Sequence, residues 1–449
     1  MEQNMDVFDF LLMPIYLSAF YLIGHQIVAF NRKNPLYKTY YIRGLTYKLL
    51  GSLGFAFIYL FYYKGGDSIS FFYTVHPLFG LFFTDPGIYF KFVFSIKTLY
   101  PIEAVSYVAQ HGVFYLLRGT PTLTTIRIAS ILDLFCMNSY LSLCLMFAFI
   151  SFQFQWRVFK LITSAYPMLH KQLFTAFMII PSVIFWGSGL SKDSIMLGSI
   201  MLFFYCYYNV VILRRGIVKY IVVLFITGFL MALIRGFILF VLVPCLMLMT
   251  VTYYRNFISS SLMRFLFGPL MIAGAIGGSV LFLRGVGSEV QSYKLESLQQ
   301  KAEGFKSWHE YLGETQGGSA YSLGGDVVYT PSGIMRQAPL ALIITLFGPF
   351  VWQIRSPVML LSGVESLVFL YVTVRMLANK RIYSLGGILI RNHLIVFCVP
   401  FVIILGVAIG LTSFNYGALV RYKIPILPFF ATALIIINYH LNKPKAEIT

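Results

Sequence analysis

The chain has 449 residues, of which 58% are hydrophobic, 18% aromatic and only 11% charged, with a net charge of +18. A soluble globular chain is about 45–50% apolar and roughly 25% charged, so this composition excludes a soluble enzyme, and also a disordered or fibrous chain. Runs of about 20 apolar residues, each long enough to cross a bilayer, recur along nearly the whole length, and they predict an all-α, polytopic integral membrane protein with one transmembrane domain over 1–449.

In chain order the apolar runs predict eleven spans, at about 8–30, 44–63, 127–152, 172–189, 194–213, 217–234, 236–254, 264–283, 357–376, 391–412 and 422–440. The first lacks a basic flank and a small-residue cleavage site, so it reads as a retained helix and not a signal peptide. The connection 31–48 holds Arg32, Lys33, Lys38, Arg43 and Lys48 and no acid, which assigns it to the cytoplasm by the positive-inside rule. Alternation then gives the inside segments 19 Lys/Arg and one acid, Glu447, and the outside segments 15 Lys/Arg and 13 acids. One orientation, N-terminus outside and C-terminus cytoplasmic, thus accounts for the basic excess, and no nucleic-acid partner is needed to explain it. Cys136, Cys144, Cys206, Cys245 and Cys398 fall inside apolar runs with no CxxC pair, which argues against a disulfide framework or a zinc site.

Two predicted external segments are long, 64–126 and 284–356, whereas every predicted cytoplasmic loop is short and none carries a Gly-rich phosphate loop. This disfavours an ATP-driven machine or a nucleotide-sugar enzyme and directs attention to the external face. The stretch YYKGGDSISFFYTVHPLFGLFFTDPG is suited to helices lying at headgroup level. In the second segment Leu295, Leu298, Phe305 and Leu312 make one face of an amphipathic helix. A Gly/Ser-rich stretch follows, and then an apolar piece at 338–353, interrupted by Pro349, reads as interfacial or re-entrant.

Chemistry-bearing residues gather on the predicted external side. Asp67 follows Gly65 and Gly66, which free the backbone to turn toward a ligand; its carboxylate is placed to act as a general base or to hold a metal, or it is a solvated turn or helix cap. Lys192 and Asp193 sit at the end of PSVIFWGSGLSKDS; either they cap helix ends, or Lys192 faces a phosphate and Asp193 orients it or binds a metal. Arg235 lies between two apolar runs, either snorkelling to water or gripping a diphosphate through paired donors. Arg421 and Lys423 in NYGALVRYKIPILPF are basic on the disfavoured side, where an anionic lipid head group would attract them. His76, Asp85, Arg127, Asp326 and Arg336 are weaker candidates, with structural roles favoured. Asp133 and Glu365 lie within predicted spans, where a charge is costly without a partner, and His25 and His393 read as packed side chains.

The pattern GGDSISFF, PSVIFWGSGLSKD, ALIRGFILFVLVP and RYKIPILPF resembles the GT-C superfamily of membrane glycosyltransferases. The resemblance implies Asp67 as catalytic base, with Lys192, Arg235, Arg421 and Lys423 on the phosphate of a polyprenyl-linked sugar donor. It also implies a glycan or glycolipid acceptor, a bacterial inner membrane, and a role for a divalent metal (Mg or Mn) that the residues leave open. One departure is that Asp67 follows the second span and not the first. In that respect the chain also resembles Wzy/EpsG-type polysaccharide polymerases, which join lipid-linked repeat units; RYKIPILPF favours the GT-C reading. A transporter or flippase of lipid-linked sugars is a third class, and it would need more ionisable groups within the bilayer than these.

Overall fold

The computed structural model describes residues 7–95, 102–111, 117, 119–258, 260–285, 304, 307, 321, 330–354 and 356–442. Apart from residues 304, 307 and 321, the predicted amphipathic helix at 290–312 and the Gly/Ser stretch lie outside them, as do Asp326 and the basic C-terminal tail. The described residues are helical with no strand. Nine of the helices are long and apolar enough to cross a membrane, ten if the pair Tyr416–Tyr422 and Leu427–Asn442, bent by 65°, is one span. The protein is an all-helical, polytopic membrane protein. All five cysteines are buried free thiols.

The chain forms two compact units. The first comprises residues 1–161, 183–202 and 233–235. Here α1 (Val7–Phe30) is followed by α2 (Tyr37–Tyr62), whose buried stripe is Tyr41, Leu45, Lys48, Ser52, Phe55 and Tyr59, the spacing of one helix face. Tyr37 and Tyr41 meet Trp156 of α7 (Tyr140–Ala165) edge-on, with centroids 5.1 and 5.0 Å apart, a geometry that adds to simple burial. Between these long helices, α3 (Asp67–Thr84), α4 (Pro86–Phe94), α5 (Ile102–His111) and α6 (Thr120–Asp133) pack on one another. α3 buries Phe71, Val75 and Leu78 and exposes Asp67, Tyr73 and His76, the amphipathic pattern of a helix covered on one side.

Two predicted spans are built differently. The run 127–152 is broken: α6 ends at Asp133 and α7 begins at Tyr140. Met137 and Asn138 both take left-handed backbone (φ 52° and 58°) in the turn between them, which stops a helix. The run 172–189 is α8 (His170–Met178) and α9 (Pro181–Trp186). Pro181 lacks an N–H and disfavours helical backbone at residue 180, so neither half reaches spanning length.

The second unit comprises 162–182, 203–232 and 236–449. It holds α12 (Phe237–Tyr254), α13 (Ser261–Gly285), α14 (Pro331–Phe347), α15 (Pro357–Leu377), α16 (Leu385–Arg391), α17 (His393–Ser413), α18 (Tyr416–Tyr422) and α19 (Leu427–Asn442). The helices α10 (Lys192–Val211) and α11 (Ile217–Arg235) each contribute residues to it. α17 packs on α12, α14 and α19. At Gly410 a Cβ would lie 2.3 Å from Ala341 O, and Thr345 Oγ1 donates to Gly406 O at 2.9 Å; small residues and a hydroxyl let the two backbones approach as membrane helices do. Phe204, Phe397, Phe401 and Phe429 form its aromatic core. The piece expected at 338–353 is the ordered helix α14. It starts earlier, at Pro331, because Thr330 caps it by accepting Gly333 N at 3.2 Å, and it ends before Gly348.

Candidate functional site

α2 finishes in a π-helical turn, Ile58–Tyr62, and the chain then turns sharply. Lys64, Gly65 and Gly66 have φ of 48°, 155° and 93°, and a Cβ on Gly66 would sit 3.1 Å from the Tyr59 ring. Positive φ and close approach both call for glycine there. Asp67 is the first residue of α3 and is exposed, at the helix end where a negative charge is stabilised by the backbone dipoles. Behind it, buried Ser68 Oγ lies 2.9 Å from Tyr140 Oη, which fixes the start of α3 to α7.

The segment PSVIFWGSGLSKDS builds the neighbouring cations. The C-terminal carbonyls of α9 are orphans, and three side chains meet them: Lys48 Nζ donates to Val183 O at 3.3 Å, the Ser188 hydroxyl to Ile184 O, and the Ser194 hydroxyl to Trp186 O at 3.3 Å. Ser191 caps α10 by accepting Ser194 N at 3.1 Å. That places Lys192 and Asp193 in the first turn of α10. Ser191→Ala is expected to lower stability by about 1 kcal/mol, the usual value of an N-cap, measurable by thermal unfolding in detergent.

Lys192 Nζ lies 5.5 Å from the centroid of Phe71, one turn beyond Asp67 on α3. Buried Asp193 receives Arg235, whose Nη2 is 2.6 Å from Oδ1; no N–H is aligned on that oxygen, so the contact is an ion pair rather than an oriented hydrogen bond. Arg235 is also largely covered, with 13% of its side chain exposed. The first unit therefore brings Asp193 and Arg235 together and carries Lys192 onto the helix that Asp67 opens.

In the second unit RYKIPILPF is a bend. α18 ends at Tyr422, α19 starts at Leu427, and Lys423 sits at the break. Its side chain is fully buried, and Nζ donates to Gly348 O at 2.8 Å and Ser366 Oγ at 3.1 Å. Glu365 of α15 is buried beside it: Oε2 accepts Ser182 N at 2.7 Å, Oε1 has no hydrogen-bond partner, and its charge and that of Lys423 act on each other. Ser182 Oγ and Ser362 Oγ are 3.2 Å apart in the same cluster. Lys423, expected on the external face, is thus an interior residue whose ammonium holds the C-terminal end of α14. Arg421, two residues earlier, is partly exposed.

Among the weaker candidates, Asp85 caps α4 by accepting Ile88 N at 3.0 Å. Arg127 Nη2 donates to Ser95 Oγ at 2.7 Å, and its guanidinium lies 5.6 Å from the Phe92 centroid. His76 and Arg336 are exposed on α3 and α14. His393 Nε2 lies 3.1 Å from Tyr208 Oη. Among the described residues no three His, Cys, Asp or Glu gather as metal ligands. Sequence reasoning assigned Lys48 to a loop, yet it is buried in α2; its place in the stripe from Tyr41 to Tyr59 was the available signal. No family model, curated protein or solved structure matches the chain.

Proposed function

We propose that the protein is a membrane glycosyltransferase that moves a sugar from a polyprenyl-phosphate-linked donor to a glycan or lipid-linked acceptor. The reading sets the reaction at the external face of a bacterial inner membrane, with the N-terminus outside and the C-terminus cytoplasmic. The observation that carries it is the pairing of an exposed carboxylate, Asp67, at a constrained helix start with Lys192 drawn onto the same helix and the Asp193–Arg235 ion pair one residue further along α10.

In this reaction the acceptor oxygen bonds to the anomeric carbon, its proton passes to Asp67, and the bond from that carbon to the phosphate oxygen breaks. Lys192 and Arg235 take up the charge of the departing polyprenyl phosphate, since donors fixed in a low-dielectric site stabilise developing charge strongly. Asp193 positions Arg235. Arg421 and Lys423 belong to the second unit, and no step of this reaction is routed through them. Asp193→Asn is expected to loosen Arg235 and raise the KM for the lipid-linked donor by about 10-fold, an effect of roughly 1.4 kcal/mol, with a smaller effect on kcat; steady-state kinetics on a defined donor would read it.

The reading is tested in cells by comparing surface glycans made with the wild-type protein, without it, and with Asp67→Asn. Loss of one defined sugar in both altered strains supports the transferase. Collapse of a glycan ladder to a single complete repeat unit assigns a Wzy/EpsG-type polymerase instead. A glycan altered by deletion but unaffected by Asp67→Asn removes Asp67 from the chemistry.

A further inference from the structure

Three helices of the second unit end side by side. Tyr254, the last residue of α12, donates its hydroxyl to Val211 O at the end of α10. Its neighbour Tyr253 meets the His393 ring edge-on, with centroids 5.4 Å apart. His393 opens α17, and its Nε2 lies 3.1 Å from Tyr208 Oη of α10. Each of α10, α12 and α17 is long and apolar enough to cross a membrane. Their shared end therefore lies at one bilayer surface, at the headgroup level where tyrosine rings gather.

That end carries arginines from all three connections. Arg214 and Arg215 follow α10, Arg255 follows α12, and Arg391 stands two residues before α17; all four are exposed. Arg214 is held in place. It takes left-handed backbone (φ 53°), which is uncommon outside glycine. Its Nε donates to Tyr254 Oη at 3.1 Å, and its guanidinium lies 5.3 Å from that ring's centroid. The terminal Nη pair of Arg214, and the guanidinium groups of Arg215, Arg255 and Arg391, have no partner among the described residues. The sole acid among the described residues of this unit is Glu365, which is buried in α15.

Unneutralised guanidinium groups at a membrane surface attract anionic head groups. An arginine anchored through Nε presents its remaining donors as a fork that fits a phosphate. The apolar side chains around these arginines decide which anion is suited. Leu213, Ile217 and Val218 flank the Arg214 turn, Phe257 follows Arg255, and all are exposed, Phe257 by 76%. A soluble phosphate would leave them in water, whereas a phospholipid covers them with its acyl chains while its phosphate meets the arginines.

We infer that this end of the second unit is a docking surface for the head groups of anionic phospholipids, with Arg214 gripping the phosphate and Arg215, Arg255 and Arg391 supplying the surrounding charge. The surface is independent of the proposed sugar transfer, and none of its residues takes part in that reaction.

The test is binding of fluorescent phosphatidylglycerol, with phosphatidylcholine as the neutral reference, to the full chain in detergent, read by fluorescence anisotropy. Phosphatidylglycerol is expected to half-saturate at a concentration about 10-fold lower than phosphatidylcholine. Arg214→Gln combined with Arg255→Gln is expected to erase that preference, with thermal unfolding checking that the variant is folded. Should it fail to fold, Arg215→Gln combined with Arg391→Gln decides: these side chains touch no described residue, and their loss is expected to weaken phosphatidylglycerol binding by about 3-fold or more. Arg32→Gln combined with Lys33→Gln removes the same charge from the exposed turn after α1 and is expected to leave the preference intact. Equal binding of the two lipids by the wild-type protein overturns the proposal. An equal loss in the Arg32 and Lys33 variant reduces the effect to net charge and overturns it too. Displacement of the bound lipid by free glycerol phosphate would make the site one for a soluble anion, and also overturns it.

Discussion

Asp67→Asn is expected to reduce sugar transfer by roughly 10²–10⁴-fold, the usual contribution of a positioned general base, while the protein accumulates normally. The asymmetry follows from where the residue sits. Asp67 is exposed at the first position of α3, so Asn fills the same space, and only the favourable charge–dipole term is lost, about 0.3–1 kcal/mol at an exposed helix end. Ser68, Ile69 and Phe71, which anchor the helix start, are buried and untouched. Asp67→Glu keeps the base but moves it by a methylene, and should retain a measurable fraction of activity. The check is transfer rate per unit of folded protein in purified membranes. Full activity in Asp67→Asn would leave the carboxylate a stabilising helix-start charge.

The second large effect falls on stability. Lys423→Ala is expected to destabilise the protein by about 3–5 kcal/mol, because removing one member of a buried charged cluster leaves the other uncompensated. Glu365 already has one oxygen without a partner, and losing Lys423 would also strip Gly348 O and Ser366 Oγ of a donor. Glu365→Gln combined with Lys423→Met removes both charges and should recover part of the loss, so the two changes are non-additive in the way contacting sites are. Unfolding in detergent measures all three. This outcome separates two roles for Lys423. A direct phosphate ligand would lose activity at unchanged stability, whereas the interior residue described here loses stability first.

The long apolar runs were legible because nothing interrupts them: the readings 8–30, 217–234 and 357–376 lie within a residue of Val7–Phe30, Ile217–Arg235 and Pro357–Leu377. The two broken runs were not, and for a shared reason. Leu134, Phe135, Cys136 and Met137 are as apolar as a span, and so are Ile179 and Ile180; hydropathy records the side chains and not the backbone that turns beneath them. Asn138 and Pro181 were the only local markers of a break. At the site, the closeness of Asp193 and Arg235 was not readable from positions 42 residues apart, although both were singled out as charges at short turns between apolar runs. Arg421 and Lys423 looked equivalent as basic residues beside prolines. The bend separates them, turning one into the interior and leaving the other partly exposed, and only the third dimension distinguishes them. Lys48 was hidden by the basic cluster just before it, which drew it into a loop.

The proposed reaction makes a glycosidic bond from a polyprenyl-linked donor. The most direct measurement reconstitutes the purified protein in liposomes with a polyprenyl-phosphate sugar labelled in the sugar and an acceptor glycolipid, and follows the label by thin-layer chromatography. Label in the acceptor and release of polyprenyl phosphate are expected with the wild-type protein, and neither with Asp67→Asn. Label that crosses the bilayer still attached to its polyprenyl carrier, with no new glycoside formed, would contradict it and identify a lipid-linked sugar transporter.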